Sequence, residues 1–162
     1  MTDRQDTPRS ERPAMAAYGV SKDAQGLLPW DWAIEHLHDS HNFWIATTRP
    51  DGRPHLMPLW GLWDDHALYI STSGSSRKAV NLLMQPACSI STSRADEAVI
   101  IEGVAEQVTD AARLKELLVD YSAKYGMGFP ADSPVFRISP RTVFGFTEYG
   151  LSQNATRWRF PG

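Results

Sequence analysis

Apolar residues recur along this chain at two spacings, and the changes between them mark out its elements. Residues 42–48, N-F-W-I-A-T-T, are rich in aromatic and β-branched side chains, and P-D-G at 50–52 supplies a tight turn into a second strand at 55–63. That strand alternates weakly and holds Pro58 and Gly61, residues that belong at an edge, at a bulge or where something approaches the backbone closely. A third strand is expected at 67–72. A helix follows at 75–84, with Val80, Leu83 and Met84 on its buried side and Arg77 and Asn81 sharing another face. The runs A-C-S-I-S-T-S and A-V-I-I-E-G-V-A-E-Q-V read as an antiparallel pair with a bulge at Gly103. Thr109 then caps a helix whose apolar stripe is Leu114, Leu117, Leu118, Tyr121 and Tyr125, with Arg113, Lys115, Glu116 and Lys124 facing solvent. Residues 126–134 form a loop, 135–138 and 142–147 are two strands around an S-P-R turn, and 148–154 is another loop. In the closing A-T-R-W-R-F, alternation sends Arg157 and Arg159 one way and Thr156, Trp158 and Phe160 the other.

Ahead of these elements, residues 29–40 are helix-like, with Pro29 at the start and Trp30, Ile34 and Leu37 at helical spacing, and should pack across the domain as a lid. Residues 1–28 mix charges, Pro, Ser and Gly with few large apolar groups and read as a flexible N-terminal arm. The remainder, 29–162, is one domain. Six to seven short strands in hairpin order with interspersed helices predict a mainly β, α+β fold, a small antiparallel barrel with attached helices.

Charge narrows the function. A formal net charge of −3 without any basic run argues against a nucleic-acid or anionic-membrane partner. The single cysteine, Cys88, has no partner for a disulfide and reads as a small buried hydrophobe in a reducing, cytoplasmic setting. Neither a signal peptide nor a transmembrane helix is expected. His36, His38 and His41 do not share one helical face, so they read as a polar helix end and not as a zinc site.

Against that acidic background, one stretch is misplaced. At 69–83, Y-I-S-T-S-G-S-S-R-K-A-V-N-L-L, a helix opens on Arg77 and Lys78, although cations in a first turn are disfavoured by about 0.3–1 kcal/mol each. An anion reverses that penalty. Free amides at the helix start, hydroxyls from Ser71, Thr72, Ser75 and Ser76, and two adjacent cations are the parts of a phosphate cradle.

These segments resemble a known family, the split-barrel flavin and deazaflavin oxidoreductases related to pyridoxamine phosphate oxidase. The likeness spans roughly residue 37 to the C-terminus. It rests on A-T-T-R-P-D-G-R-P-H-L-M-P-L-W at 46–60, L-Y-I-S-T followed by S-R-K-A-V-N-L at 76–82, V-I-I-E-G-V-A at 99–105, and the terminal A-T-R-W-R-F. The hairpin and the terminal segment look most like the branch that binds coenzyme F420, a deazaflavin. The resemblance implies a split antiparallel β-barrel, a homodimer and cofactor sites at the interface. It implies that Leu56, Met57, Pro58 and Leu59 run along the cofactor ring. It also implies that Ser71, Thr72, Ser76, Arg77 and Lys78 hold the phosphate, with Asn81 near the ribityl chain. Trp158 and Arg159 would reach the partner subunit's site, although cross-strand pairing of Arg157 and Arg159 with a carboxylate accounts for them equally. The Arg-rich strand of true pyridoxamine phosphate oxidases is replaced here by L-M-P-L-W-G-L-W, which argues against pyridoxal chemistry.

The expected function is therefore F420-dependent hydride transfer to an unsaturated organic substrate. The alternatives are an FMN-binding reductase or oxidase on the same fold, and a non-catalytic protein that holds F420, FMN or a tetrapyrrole. No nucleophile elbow, Walker loop or paired-carboxylate motif supports hydrolysis or phosphoryl transfer.

Overall fold

The computed structural model describes residues 7–161. Nine strands and four helices follow one another as β1 (Arg9–Glu11), α1 (Trp30–Asp39), β2 (Phe43–Thr48), β3 (Pro54–Leu59), β4 (Leu62–Asp64), β5 (Ala67–Ser71), α2 (Arg77–Met84), β6 (Ala87–Thr92), β7 (Glu97–Gln107), α3 (Ala111–Tyr125), β8 (Val135–Thr147), α4 (Leu151–Asn154) and β9 (Thr156–Arg159). All pairings are antiparallel, in the order β1-β9-β8-β7-β6-β2-β3, with β5 joining β8 and β4 joining β5. This is a split-barrel α+β fold.

The expected second strand is two strands. Its first half, β3, pairs with β2, and beyond Trp60 and Gly61 its second half, β4, pairs with β5. The chain thus changes neighbours at the Trp60–Gly61 step and closes a ring through β2, β6, β7, β8 and β5. Phe43 is the reason the step takes a glycine, because a Cβ on Gly61 would lie 3.1 Å from the Phe43 ring. Among the described residues, no strand lies beside the far edge of β3 along 54–59, and there the barrel is split.

The S-P-R segment is not a turn. Residues 135–147 form one strand, β8, whose first half pairs with β5 and whose second half pairs with β9, while β7 runs along its whole length. Glu102 pairs with Thr142 and Gly103 with Pro140, so Arg141 is the extra residue of a bulge. The irregularity foreseen at Gly103 is present, and a side chain there would meet the Ser139 carbonyl at 2.6 Å. The strand tolerates Pro140 because that bulge interrupts the hydrogen-bond ladder.

The barrel interior is filled by Phe43, Ile45, Leu68, Ile70, Ile90, Val99, Ile101, Phe136, Ile138 and Val143, and α1 closes it with Trp30, Ala33 and Leu37. Outside the β4–β5 hairpin, α3 buries Leu117 and Tyr121 against Leu62, Ala67, Tyr69 and Val135. Asp110 caps that helix in place of Thr109, accepting from the Arg113 amide at 3.0 Å. Lys124 points inward, contrary to expectation. Its ammonium donates to the carbonyls of Ser40 (2.8 Å) and Gly61 (2.9 Å), and burial lowers its pKa to about 8. Two backbone acceptors hold a charge that the periodicity assigned to water.

Residues 7–28, read as part of a flexible arm, lie along the sheet. Arg9, Ser10 and Glu11 pair with Arg159, Trp158 and Arg157 of β9, and Arg12 donates to the carbonyls of Asp23, Gln25, Gln153 and Ala155. This attachment is made by backbone pairing and one guanidinium, which a composition rule based on apolar burial does not register. Residues 1–6 of that arm lie outside the described residues.

Candidate functional site

The α2 N-terminus gathers the candidate site, and the hydrogen bonds there leave a specific remainder. Ser76 is the N-cap, and its Oγ accepts from Ala79 N–H at 3.2 Å while its own amide donates to the Ser73 carbonyl. The amides of Arg77 and Lys78 have no protein acceptor among the described residues. Thr72 Oγ1 lies 3.1 Å from Ser76 Oγ, and Ser71 Oγ donates to the Pro134 carbonyl at 3.2 Å. Three hydroxyls are thereby used to shape the loop.

The cations beside these amides are uncompensated. Among the described residues, no ion pair includes Arg49, Arg77 or Lys78. All three act on one imidazole, that of His55 at the start of β3. Burial first, then Arg49, Lys78 and Arg77, lower its pKa, and its Nδ1 is buried without a partner. Burial also lowers the pKa of Lys78. Positive groups and free donors that meet no protein acceptor among the described residues are complementary to an anion. Sequence reasoning missed Arg49 and His55. The signal was their place on either side of the P-D-G turn, which folds the hairpin end back beside α2.

From Lys78 a groove of about 290 Å³ runs between the two walls of the split. Leu59 and Trp60 lie on the β3 side, Ser71 and Thr72 on the β5 side, and Tyr121, Met127, Gly128 and Pro130 close it. Trp60 is held flat against Tyr125 at 4.5 Å and 4°, and Tyr121 packs on Phe129 at 4.4 Å. Burial raises the pKa of Tyr121, so its phenol keeps its proton across the neutral range. A cleft of about 350 Å³ at the other end of α1 has the opposite character, with Glu35, Asp39 and Glu97 in its lining.

The residues expected along a cofactor ring divide between two faces. Met57 and Leu59 pair with Ile45 and Phe43, on the face covered by α2, whereas Leu56 and Pro58 pair with Ala46 and Trp44 on the outside of the barrel. Leu56 is 58% exposed there and Trp44 42%. The unpaired edge of β3 presents the backbone groups of alternate residues along 56–59, with no donor from Pro58. Ser71, Thr72 and Lys78 line the groove itself, while Ser76 and Arg77 stand at the helix start above it.

The remaining expected residues lie elsewhere. Asn81 is wholly buried, its amide donating to Thr47 Oγ1 at 3.0 Å, and its Oδ1 has no partner. It turns α2 so that Ala79 and Leu82 are buried and Leu83 and Met84 are exposed, the reverse of the face foreseen from hydrophobicity. Trp158 is wholly buried in its own chain, edge-on to Trp30 at 5.3 Å, and so has no surface to offer a partner subunit. Arg159 and Arg157 both bond Glu11, at 2.5 and 2.7 Å, which is the cross-strand pairing allowed for above.

A sequence profile of the family described as pyridoxamine 5'-phosphate oxidase matches residues 33–147. No curated protein sequence matches the chain. Among solved structures, a conserved hypothetical protein from Mycobacterium tuberculosis is similar at a TM-score of 0.68 and 24% identity, over 79% of this chain and 90% of that one. An F420 reductase is similar at a TM-score of 0.57 and 23% identity, over 67% and 93%. HutZ, the heme storage protein from Vibrio cholerae, is similar at a TM-score of 0.58 and 19% identity, over 66% and 86%. At these identities the likeness is one of fold.

Proposed function

This chain belongs to the pyridoxamine 5'-phosphate oxidase family, and on that premise we propose that it binds coenzyme F420 in the split between β3 and β5 for hydride exchange with an unsaturated organic substrate. The observation that carries this reading is the uncompensated positive patch at the start of α2, set beside an unpaired strand edge. The donor set fits a phosphate-bearing ring. Two free amides and the Lys78 ammonium suit the phosphate. The β3 edge suits the polar rim of a heterocycle, and Leu59, Trp60 and Met127 suit its apolar face.

A bound deazaflavin would supply the hydride-carrying carbon, and the protein would supply position and surroundings. In this reading Lys78 and the Arg77 and Lys78 amides anchor one end, and the backbone of 56–59 fixes the plane of the other. Trp60, braced by Tyr125, and the 126–130 loop keep water from the groove. Tyr121 holds a proton on Oη at the groove wall. A carboxylate is not needed for that division of labour.

The outer face supports assembly as a homodimer. Pro58, Trp44, Ser91, Ile100 and Phe144 are register partners across five strands, forming a row that includes a large exposed indole. A second reading keeps the site without turnover, as a carrier of F420, FMN or a tetrapyrrole. It is favoured by the fold shared with a heme storage protein. The decisive experiment titrates the purified protein with F420 and with FMN side by side, following fluorescence. Saturable F420 binding that Lys78→Ala weakens at least tenfold is expected. FMN binding alone would transfer the reading to a flavoprotein, and binding of neither would end it. The same sample sedimenting as a monomer would remove the dimer.

A further inference from the structure

The family resemblance assigns the anion to α2, yet the structure brings the β2–β3 hairpin to the same place. His55 begins the face of β3 that α2 covers, directly across from Thr47, and Thr47 accepts the Asn81 amide at 3.0 Å. Two polar atoms of this cluster are buried without partners, His55 Nδ1 and Asn81 Oδ1, and Asn81 has no exposed surface at all. Orphaned buried polar atoms are costly and persist where a ligand or ordered water meets them. The charged groups acting on the imidazole are Arg49 from the end of β2 and Arg77 and Lys78 from α2. Arg53, across the hairpin turn, is occupied by Asp51 at 2.9 Å.

Resting on the reading that this site receives a phosphate-bearing ligand, we infer that His55 belongs to the anion site and takes up a proton from solvent when the anion binds, so that retention tightens as pH falls. Without an anion, three neighbouring cations and burial keep the ring neutral. A phosphate group placed among Arg49, Arg77 and Lys78 cancels their field and offers an acceptor to the imidazolium. Between the empty and occupied titration points, binding consumes one proton, and the sign follows from linkage. Affinity rises as pH is lowered through that window, at most about tenfold per pH unit. His55 is a binding residue in this account, with no part in hydride movement.

The test records the His55 ring signals by NMR as pH is varied, identified by their loss in His55→Gln, with and without inorganic pyrophosphate. Pyrophosphate is expected to move the midpoint to higher pH, and an unchanged midpoint overturns the inference whatever cofactor the protein uses. In parallel, F420 and FMN are titrated at pH 6 and pH 8. Wild type should bind at least fivefold more tightly at pH 6, and His55→Gln should bind with one affinity at both. A wild type and a variant with the same pH profile would refute the role of His55, whereas no cofactor binding by wild type at either pH would refute the underlying reading.

Discussion

Trp158 offers the sharpest test of what belongs to the site and what belongs to the core. Its six-membered ring lies against Gly145 of β8, where a Cβ would stand 2.7 Å from Cη2 and Cζ3 of Trp158 and 2.9 Å from Cζ3 of Trp32. Gly145→Ala therefore overpacks the junction of β8, β9 and α1, at a cost of about 2 kcal/mol, within the usual range for a methyl forced into a filled core. Trp158→Phe does the opposite. It vacates roughly 35 Å³, which at about 24 cal/mol per Å³ is near 1 kcal/mol, lost burial adds about 1 more, and removing the buried, unpartnered Nε1 offsets about 1, leaving about 1 kcal/mol. If the two changes were independent, the double variant would be about 3 kcal/mol less stable than wild type. The atoms Phe lacks are those the new methyl meets, so the methyl should occupy part of the vacancy, with only the Trp32 contact unrelieved. The double variant is then expected near 1–2 kcal/mol, a coupling of at least about 1 kcal/mol. Urea denaturation of the four proteins measures it, and ligand titration of the folded Trp158→Phe variant should match wild type. Additivity within about 0.5 kcal/mol would refute the packing argument, and lost ligand affinity in a stable Trp158→Phe protein would return the residue to the site.

Two further outcomes follow from buried or paired charges. Lys124 titrates near 8 in the folded protein against an ordinary 10.5, so the unfolded chain binds one more proton between those values and stability rises with pH through that window. After discounting for partial exposure the gain is about 1–2 kcal/mol by pH 10, above which Tyr125, raised to about 12, reverses the slope; Lys124→Met should flatten the rise in urea midpoints at pH 7, 8, 9 and 10. Glu11 is held below the ordinary carboxylate range by its hydrogen bond from Arg159 and then that from Arg157, so the β1 attachment is complete above that range and weakens as acid protonates the carboxyl. The protection factors of residues 9–11, that is, amide exchange corrected for its intrinsic slowing in acid, should fall between pH 6 and pH 3 far more than those of β7, and equal responses would exclude Glu11 as the clasp.

The fold was legible where periodicity and turn chemistry agree. The P-D-G hairpin, the β6–β7 pair, the bulge at Gly103 and both longer helices stand where their patterns put them. The cationic start of α2 was legible for a different reason, since positive charges in the first turn of a helix are an anomaly that is local in sequence. What escaped notice depended on tertiary partners. Asn81 rotated α2 through one hydrogen bond to Thr47, Lys124 turned inward to two carbonyls contributed by residues 84 and 63 positions away, and β1 was recruited by the edge of β9. Arg49 and His55 were hidden because their relation to Lys78 exists only once the hairpin has closed on the helix. Trp158 was ambiguous because a tryptophan in a terminal motif looks the same in sequence whether it faces a ligand or a core.

The β3 wall of the groove runs through Trp60 and Gly61 directly into β4, the strand paired with the β5 wall. The width of the groove therefore depends on the angle of the chain at a glycine. Tyr125 Oη accepts from the Gly61 amide at 2.9 Å and has the carbonyls of Gly61 and His41, both at 2.8 Å, as acceptors for its one proton, while Lys124 donates to the Gly61 carbonyl at 2.9 Å. The aperture is thus set from behind, by the end of α3, with side chains that do not line the groove. Substitutions at residues 124 and 125 can therefore change the groove's width while leaving every residue of its lining unchanged.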